Sequence, residues 1–135
     1  MNKKFSHQAL NLSSNKPLIY TATSKYLFYF RAHISKFVVE KWGVPLNPFM
    51  LFDYFLLDSV DRDTVRSSNN TLVFKADEVW VFWPVSNWVL AEIKMAKKFG
   101  RPIKYFVIQK SQYIVSVDKD NVEMEDEVKE FRNEL

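Results

Sequence analysis

The residue with the greatest chemical potential in this chain is Glu92, in the stretch SNWVLAEIKMAKKFG that begins at Ser86. Wound as a helix at about 100° per residue, this stretch places Trp88, Val89, Met95, Ala96 and Phe99 within roughly 60° of Glu92, whereas Lys94, Lys97 and Lys98 point elsewhere. A carboxylate in mid-stripe has no intrahelical cation one turn away, and burying it unpaired costs several kcal/mol, of the order of its desolvation. A group outside the helix has to satisfy it or use it. Asn69 interrupts a second apolar stripe, formed by Val65, Leu72 and Ala76 on the segment that follows Asp61. Carboxylates and amides held in apolar surroundings do acid–base, nucleophilic or hydrogen-bonding work, or they tie loop backbone.

The elements that must position these groups alternate between apolar runs and amphipathic helices. Pro17 to Ala22 reads as a short buried strand, Tyr26 to Trp42 as a helix stopped by Gly43, and Val44 to Leu46 as a second strand. The segment NPFMLFDYFLLDSV is too apolar for a solvated loop and reads as a short helix or lid packed on the core or a partner. A long helix is expected from Asp61 to Lys75. Val79 to Trp83 forms a strand, a helix runs from a Ser86 cap to Gly100, Ile103 to Ile108 is another strand and Tyr113 to Val117 a fifth. This order predicts an α/β, doubly wound, mostly parallel five-stranded sheet, a flavodoxin/Rossmann-like three-layer sandwich.

Ligands in such sheets bind beyond the carboxyl ends of the strands. That rule adds Tyr20 and Thr21 at the end of the first strand, Asn47 after the second, and Ser86 before the helix of Glu92. Arg31, flanking the first helix, is a candidate for a phosphate or for pairing with Glu40 or Asp77. Trp88 is the tryptophan placed to stack on a ligand, while Trp42, Trp80 and Trp83 read as core or interface.

Composition sets the class. With 135 residues, 47% of them hydrophobic and 16% aromatic, the chain can bury one substantial core. We divide it into a polar leader (1–16), a ligand-binding domain (17–117) and an acidic amphipathic helix (118–135) carrying Met124, Val128, Phe131 and Leu135 on one stripe. Residues 1–117 hold 16 Lys and Arg against 8 Asp and Glu, and residues 118–135 hold 3 against 8. A basic body of this kind suits phosphorylated ligands or nucleic acid, although scattered lysines are more often solvated surface, and the acidic tail argues mildly against nucleic acid. The absence of a signal-like or membrane-length apolar run gives the expectation of a soluble, cytoplasmic protein. No cysteines and two histidines give the expectation of no metal and no cofactor. The tail is expected to dock on its own domain or on a neighbour, and self-association is expected through the aromatic segment 48–57 and the tail.

With those residues in view, the stretch from Pro17 to Ile108 resembles the nucleoside 2-deoxyribosyltransferase-like superfamily, which includes deoxynucleoside monophosphate N-glycosidases. The motifs that carry the likeness are ADEVWVF followed by SNWVLAEIKMA, together with LIY in the first strand and VPLNPF. The resemblance implies cleavage of an N-glycosidic bond in a nucleoside or nucleotide by an N-glycosidase or a 2-deoxyribosyltransferase-like protein, with Glu92 as nucleophile, water or another base resolving the glycosyl intermediate, Tyr20 near the reacting sugar and Ser86 as a ligand contact. Asn69 falls where that family usually has an aspartate. The family's glycine after the first strand is replaced by TATSKYLF, and Trp88 stands where glycine is general. An amide delivers no proton. Asp77 and Asp63 are therefore candidates for the missing acid, although no sequence signal places either of them at the site. The alternative is a non-catalytic nucleotide-binding or sensing domain of the same fold.

Overall fold

The computed structural model describes residues 2–135, the side chains of Tyr54 and Phe55 excepted. Five strands, β1 (Leu18–Thr23), β2 (Val44–Leu46), β3 (Glu78–Phe82), β4 (Ile103–Gln109) and β5 (Tyr113–Val117), form one sheet in the order β2-β1-β3-β4-β5. All neighbours pair in parallel except β4 with β5, which are antiparallel and joined by a short hairpin. The helices are α1 (Arg31–Glu40), α2 (Pro48–Leu51), α3 (Tyr54–Ser59), α4 (Arg62–Lys75) and α5 (Asn87–Lys98). The doubly wound α/β fold read from the sequence is the one observed.

Helices α4 and α5 each start on a side-chain cap, whereas α1 follows Phe30 with none. Asp61 Oδ2 accepts from the amides of Asp63 (3.1 Å) and Thr64 (3.2 Å) to open α4, and Ser86 Oγ accepts from Val89 N (3.3 Å) to open α5. Lys97 and Lys98 occupy the last turn of α5, where cations are favoured, and Gly100 takes the left-handed φ of 70° that closes the helix. The start of β1 is locked to the start of β3 by a reciprocal pair: Leu18 N donates to Asp77 Oδ2 (2.7 Å) and Asp77 N donates to Leu18 O (2.8 Å).

The sheet carries two cores. On one side Ile19, Trp80, Phe82 and Phe106 pack beneath Ile34 and Val38 of α1. On the other, Tyr20, Ala22, Val79 and Val81 pack beneath Val73 of α4 and Val89, Ile93 and Ala96 of α5. Because α4 and α5 both run back from the carboxyl edge, they lie side by side and parallel.

Two expectations change in detail. The first helix begins as a 3-10 segment, Lys25–Phe30, before α1, and its Ser24 makes no side-chain cap bond. The tail forms 3-10 turns at Lys119–Asn121 and Asp126–Glu134, the latter broken at Phe131, and Met124 pairs with Val85 in an isolated parallel bridge. That bridge is held by Val85 N to Glu123 O and Glu125 N to Val85 O, both 2.9 Å. No helix among the described residues is long and apolar enough to cross a membrane.

Candidate active site

Three polar side chains from three elements meet between the sheet and the α4–α5 layer. Tyr20 of β1 is fully buried and Glu92 of α5 is 5% exposed. The Tyr20 hydroxyl is hydrogen-bonded to Glu92 Oε2. Asn69 of α4 lies against both, its Nδ2 at 2.8 Å from the Tyr20 hydroxyl and 3.2 Å from Glu92 Oε2, and its Oδ1 at 3.0 Å from the same hydroxyl. The off-helix partners that Glu92 requires are therefore a phenol and an amide. The ionised carboxylate receives the Tyr20 proton and one Asn69 amide proton on Oε2, whereas the protonated acid is a donor to the same hydroxyl.

Burial pushes the Glu92 carboxyl well above the ordinary carboxylate range. The cause is lost hydration, and among the described residues no cation pairs with Glu92 to offset it; the two donors act in the opposite direction by stabilising the charged form. The cluster sits six residues into α5 from the Ser86 cap, about 9 Å below the carboxyl edge of the sheet at 1.5 Å per residue.

The remaining candidates from the sequence lie elsewhere or are otherwise engaged. Thr21 is fully buried, and alternation along β1 turns it to the α1 side, opposite Tyr20. Asn47 is 1% exposed and fully employed: it caps α2 by accepting from Phe49 N (3.1 Å) and donates to Arg31 O and Ser35 Oγ, both 3.1 Å. Arg31 donates to Phe28 O (2.9 Å) and stacks over the Phe28 ring at 4.0 Å. Ser86 spends an acceptor on its cap, and its hydroxyl proton remains available to a ligand. Trp88 is 47% exposed one turn above Glu92, and the Arg66 guanidinium lies 4.8 Å over its ring.

Neither candidate acid joins the cluster. Asp77 stands at the amino end of β3, the opposite edge of the sheet, bonded to Leu18 N. Asp63 is an exposed partner of Arg66 at 3.0 Å. Among the described residues no group of three or more His, Cys, Asp or Glu side chains is arranged to hold a metal ion.

The sequence reading missed Arg66, although its spacing of three residues before Asn69 puts it on the same side of α4. It also missed where unused hydrogen-bonding capacity collects. The buried polar atoms without a partner among the described residues are Thr21 Oγ1, Thr23 Oγ1, Ser24 Oγ, Arg66 Nε, Trp83 Nε1 and Glu125 Oε2. Five of these six belong to the carboxyl ends of β1 and β3, the segment bridged to Val85, or the first turns of α4, and Thr21 follows two residues before the end of β1. This is the edge at which the fold presents ligands.

Fold and site together define a doubly wound α/β domain with a buried carboxylate supported by a phenol and an amide. The chain belongs to the DUF7768 family, described as a domain of unknown function, whose model matches residues 20–106 and so spans Tyr20, Asn69 and Glu92. Among solved structures it is similar to a 2-desoxiribosyltransferase from Leishmania mexicana, with 15% identity, 81% of this chain and 83% of that chain covered, and a TM-score of 0.53. At that identity the likeness establishes a distant relationship of fold. A search of curated proteins finds no match.

Proposed function

We propose that this protein cleaves the N-glycosidic bond of a nucleoside or nucleotide, with Glu92 as nucleophile. The observation that carries the reading is the Tyr20–Asn69–Glu92 cluster: a buried carboxylate with two hydrogen-bond donors focused on one of its oxygens. The other oxygen, Oε1, is left to meet a sugar carbon. The fold shared with a 2-desoxiribosyltransferase supports a nucleoside-type substrate.

In this mechanism ionised Glu92 attacks the anomeric carbon through an oxocarbenium-like transition state. A carbon–oxygen bond forms as the carbon–nitrogen bond breaks, and its electron pair leaves with the base. Water then attacks the same carbon, releasing the free sugar and regenerating the carboxylate; the proton that water loses balances the one that the base takes up. Tyr20 and Asn69 hold Glu92 in register and stabilise its charged form before attack and after release. Neither is a carboxylic acid, so the departing base draws its proton from solvent, and turnover is expected to be slow.

The test is release of free base from a panel of ribo- and deoxyribonucleosides and their monophosphates, followed chromatographically, with Glu92→Gln alongside. Release by the parent and none by the variant supports the reading. A ligand bound by both without base release supports instead a nucleotide-binding or sensing domain, the reading favoured by the amide at Asn69. Self-association belongs to the same proposal: Met50, Leu51, Leu56 and Leu57 on α2 and α3 are exposed and apolar, and sedimentation of a Leu51→Lys, Leu57→Lys variant against the parent tests it.

A further inference from the structure

Resting on the preceding reading, we infer that the substrate carries a phosphate and that Arg66 is the residue that binds it. The parallel run of α4 and α5 sets up matched pairs across their seam. Asn69 meets Glu92 at 3.2 Å; one turn nearer the carboxyl edge, Arg66 stacks on Trp88 at 4.8 Å. One helical turn is about 5.4 Å, close to the span of a pentose 5′-phosphate from its anomeric carbon to its phosphorus. A sugar with its anomeric carbon at Glu92 therefore brings a 5′-phosphate to the level of Arg66.

Arg66 has the capacity to take it. Of the five donors of a guanidinium, one on Nη1 goes to Asp63 at 3.0 Å, while Nε is buried without a partner among the described residues. Asp63 itself has 86% of its side-chain surface exposed, so this pair is solvent-screened and readily exchanged for a phosphate, which accepts two parallel N–H bonds. The Trp88 indole, 4.8 Å from the guanidinium carbon, ties Arg66 to α5, which makes Trp88 a positioning residue. The other arginine proposed from the sequence for this task, Arg31, is already committed to Phe28. A cation at this point also offsets the repulsion that a phosphate would meet from ionised Glu92.

The test uses binding, so that it stands apart from turnover. Glu92→Gln protein is titrated calorimetrically with deoxyribo- and ribonucleosides and with the corresponding 5′-monophosphates, alone and combined with Arg66→Gln or Arg66→Lys. Each variant is checked by circular dichroism and thermal melting. The expected result is a monophosphate held at least tenfold more tightly than its nucleoside, a preference abolished by Arg66→Gln, partly kept by Arg66→Lys, and weakened by millimolar inorganic phosphate. Nucleoside affinity should stay within about twofold throughout. Equal affinity for the two ligand forms, a preference that survives Arg66→Gln, or no binding of either form overturns the assignment. An Arg66-dependent preference without base release by the parent keeps this inference and removes the glycosidase reading; base release with equal efficiency from both forms does the reverse.

Discussion

Replacing Glu92 by glutamine should remove the pH dependence of stability that this one buried position contributes. The native carboxyl is raised well above its ordinary value of 4.5 by burial, so the folded chain holds the Glu92 proton more tightly than the unfolded chain. Below the ordinary value both states are protonated and the native contribution is fully present. As pH rises from there through the raised native value, the unfolded state loses its proton first and stability falls; above that value the loss is complete. A difference of one bound proton gives a limiting slope of about 1.4 kcal/mol per pH unit. Glutamine has nearly the same shape, keeps an acceptor for the Tyr20 hydroxyl and cannot ionise. The stability of Glu92→Gln minus that of the parent should therefore be small in acid and grow with pH in favour of the variant. At the length of this chain each kcal/mol corresponds to roughly 3–5 °C in melting temperature. Urea unfolding of both proteins from acid to mildly alkaline pH measures the difference directly, because the remaining carboxylates cancel in the subtraction. A difference that is flat with pH, or that moves in favour of the parent as pH rises, would refute the claim that desolvation outweighs the Tyr20 and Asn69 donors.

Other substitutions probe the neighbouring groups. Tyr20→Phe removes a hydrogen bond to a charged group of about 1.5–3 kcal/mol; base release should drop by about 10- to 100-fold, and the acid limb of its pH profile should move upward. Asn69→Asp sets a second carboxyl beside Glu92 Oε2, where two like charges cannot both ionise, so one proton is retained and becomes available to the leaving base; release should rise about tenfold or more, read in the same chromatographic assay. Asn47→Ala breaks three hydrogen bonds of a buried amide and should cost about 2–4 kcal/mol in chemical unfolding, without altering nucleoside affinity. Gly43→Ala drives a Cβ to 2.7 Å from Ile19 Cγ1 and 3.0 Å from Val38 Cγ1, and about 1–3 kcal/mol of overpacking should appear as a lowered melting temperature.

The architecture was legible because its signals are local. Apolar runs, the Ser86 cap and the stop at Gly100 are written in neighbouring residues, and β2 and β5 fall where the sequence puts them. The polar interruptions at Asn69 and Glu92 were visible as breaks in helical stripes, and the structure brings them together with Tyr20. Side-chain direction along β1 was not legible. This inner parallel strand is covered on both faces, so it has no polar–apolar alternation to separate Thr21 from Tyr20. The tail was read from its helical stripe, yet Met124 serves the bridge to Val85, and a strand-like contact between distant segments leaves no mark in either segment alone. Arg66 escaped notice because an arginine on a polar helix reads as solvated surface until its neighbour on α5 is known.

The three members of the cluster are 49, 23 and 72 residues apart along the chain in their pairwise contacts. No local turn or isolated helix can bring them together, and the parallel pairing of β1 with β3 must close a long loop first. During folding Glu92 therefore stays hydrated on a nascent helix until the α4–α5 seam closes over the sheet. Its ionisation should then act on the lifetime of the native state rather than on the time needed to reach it: raising the pH quickens unfolding and leaves the refolding rate nearly unchanged.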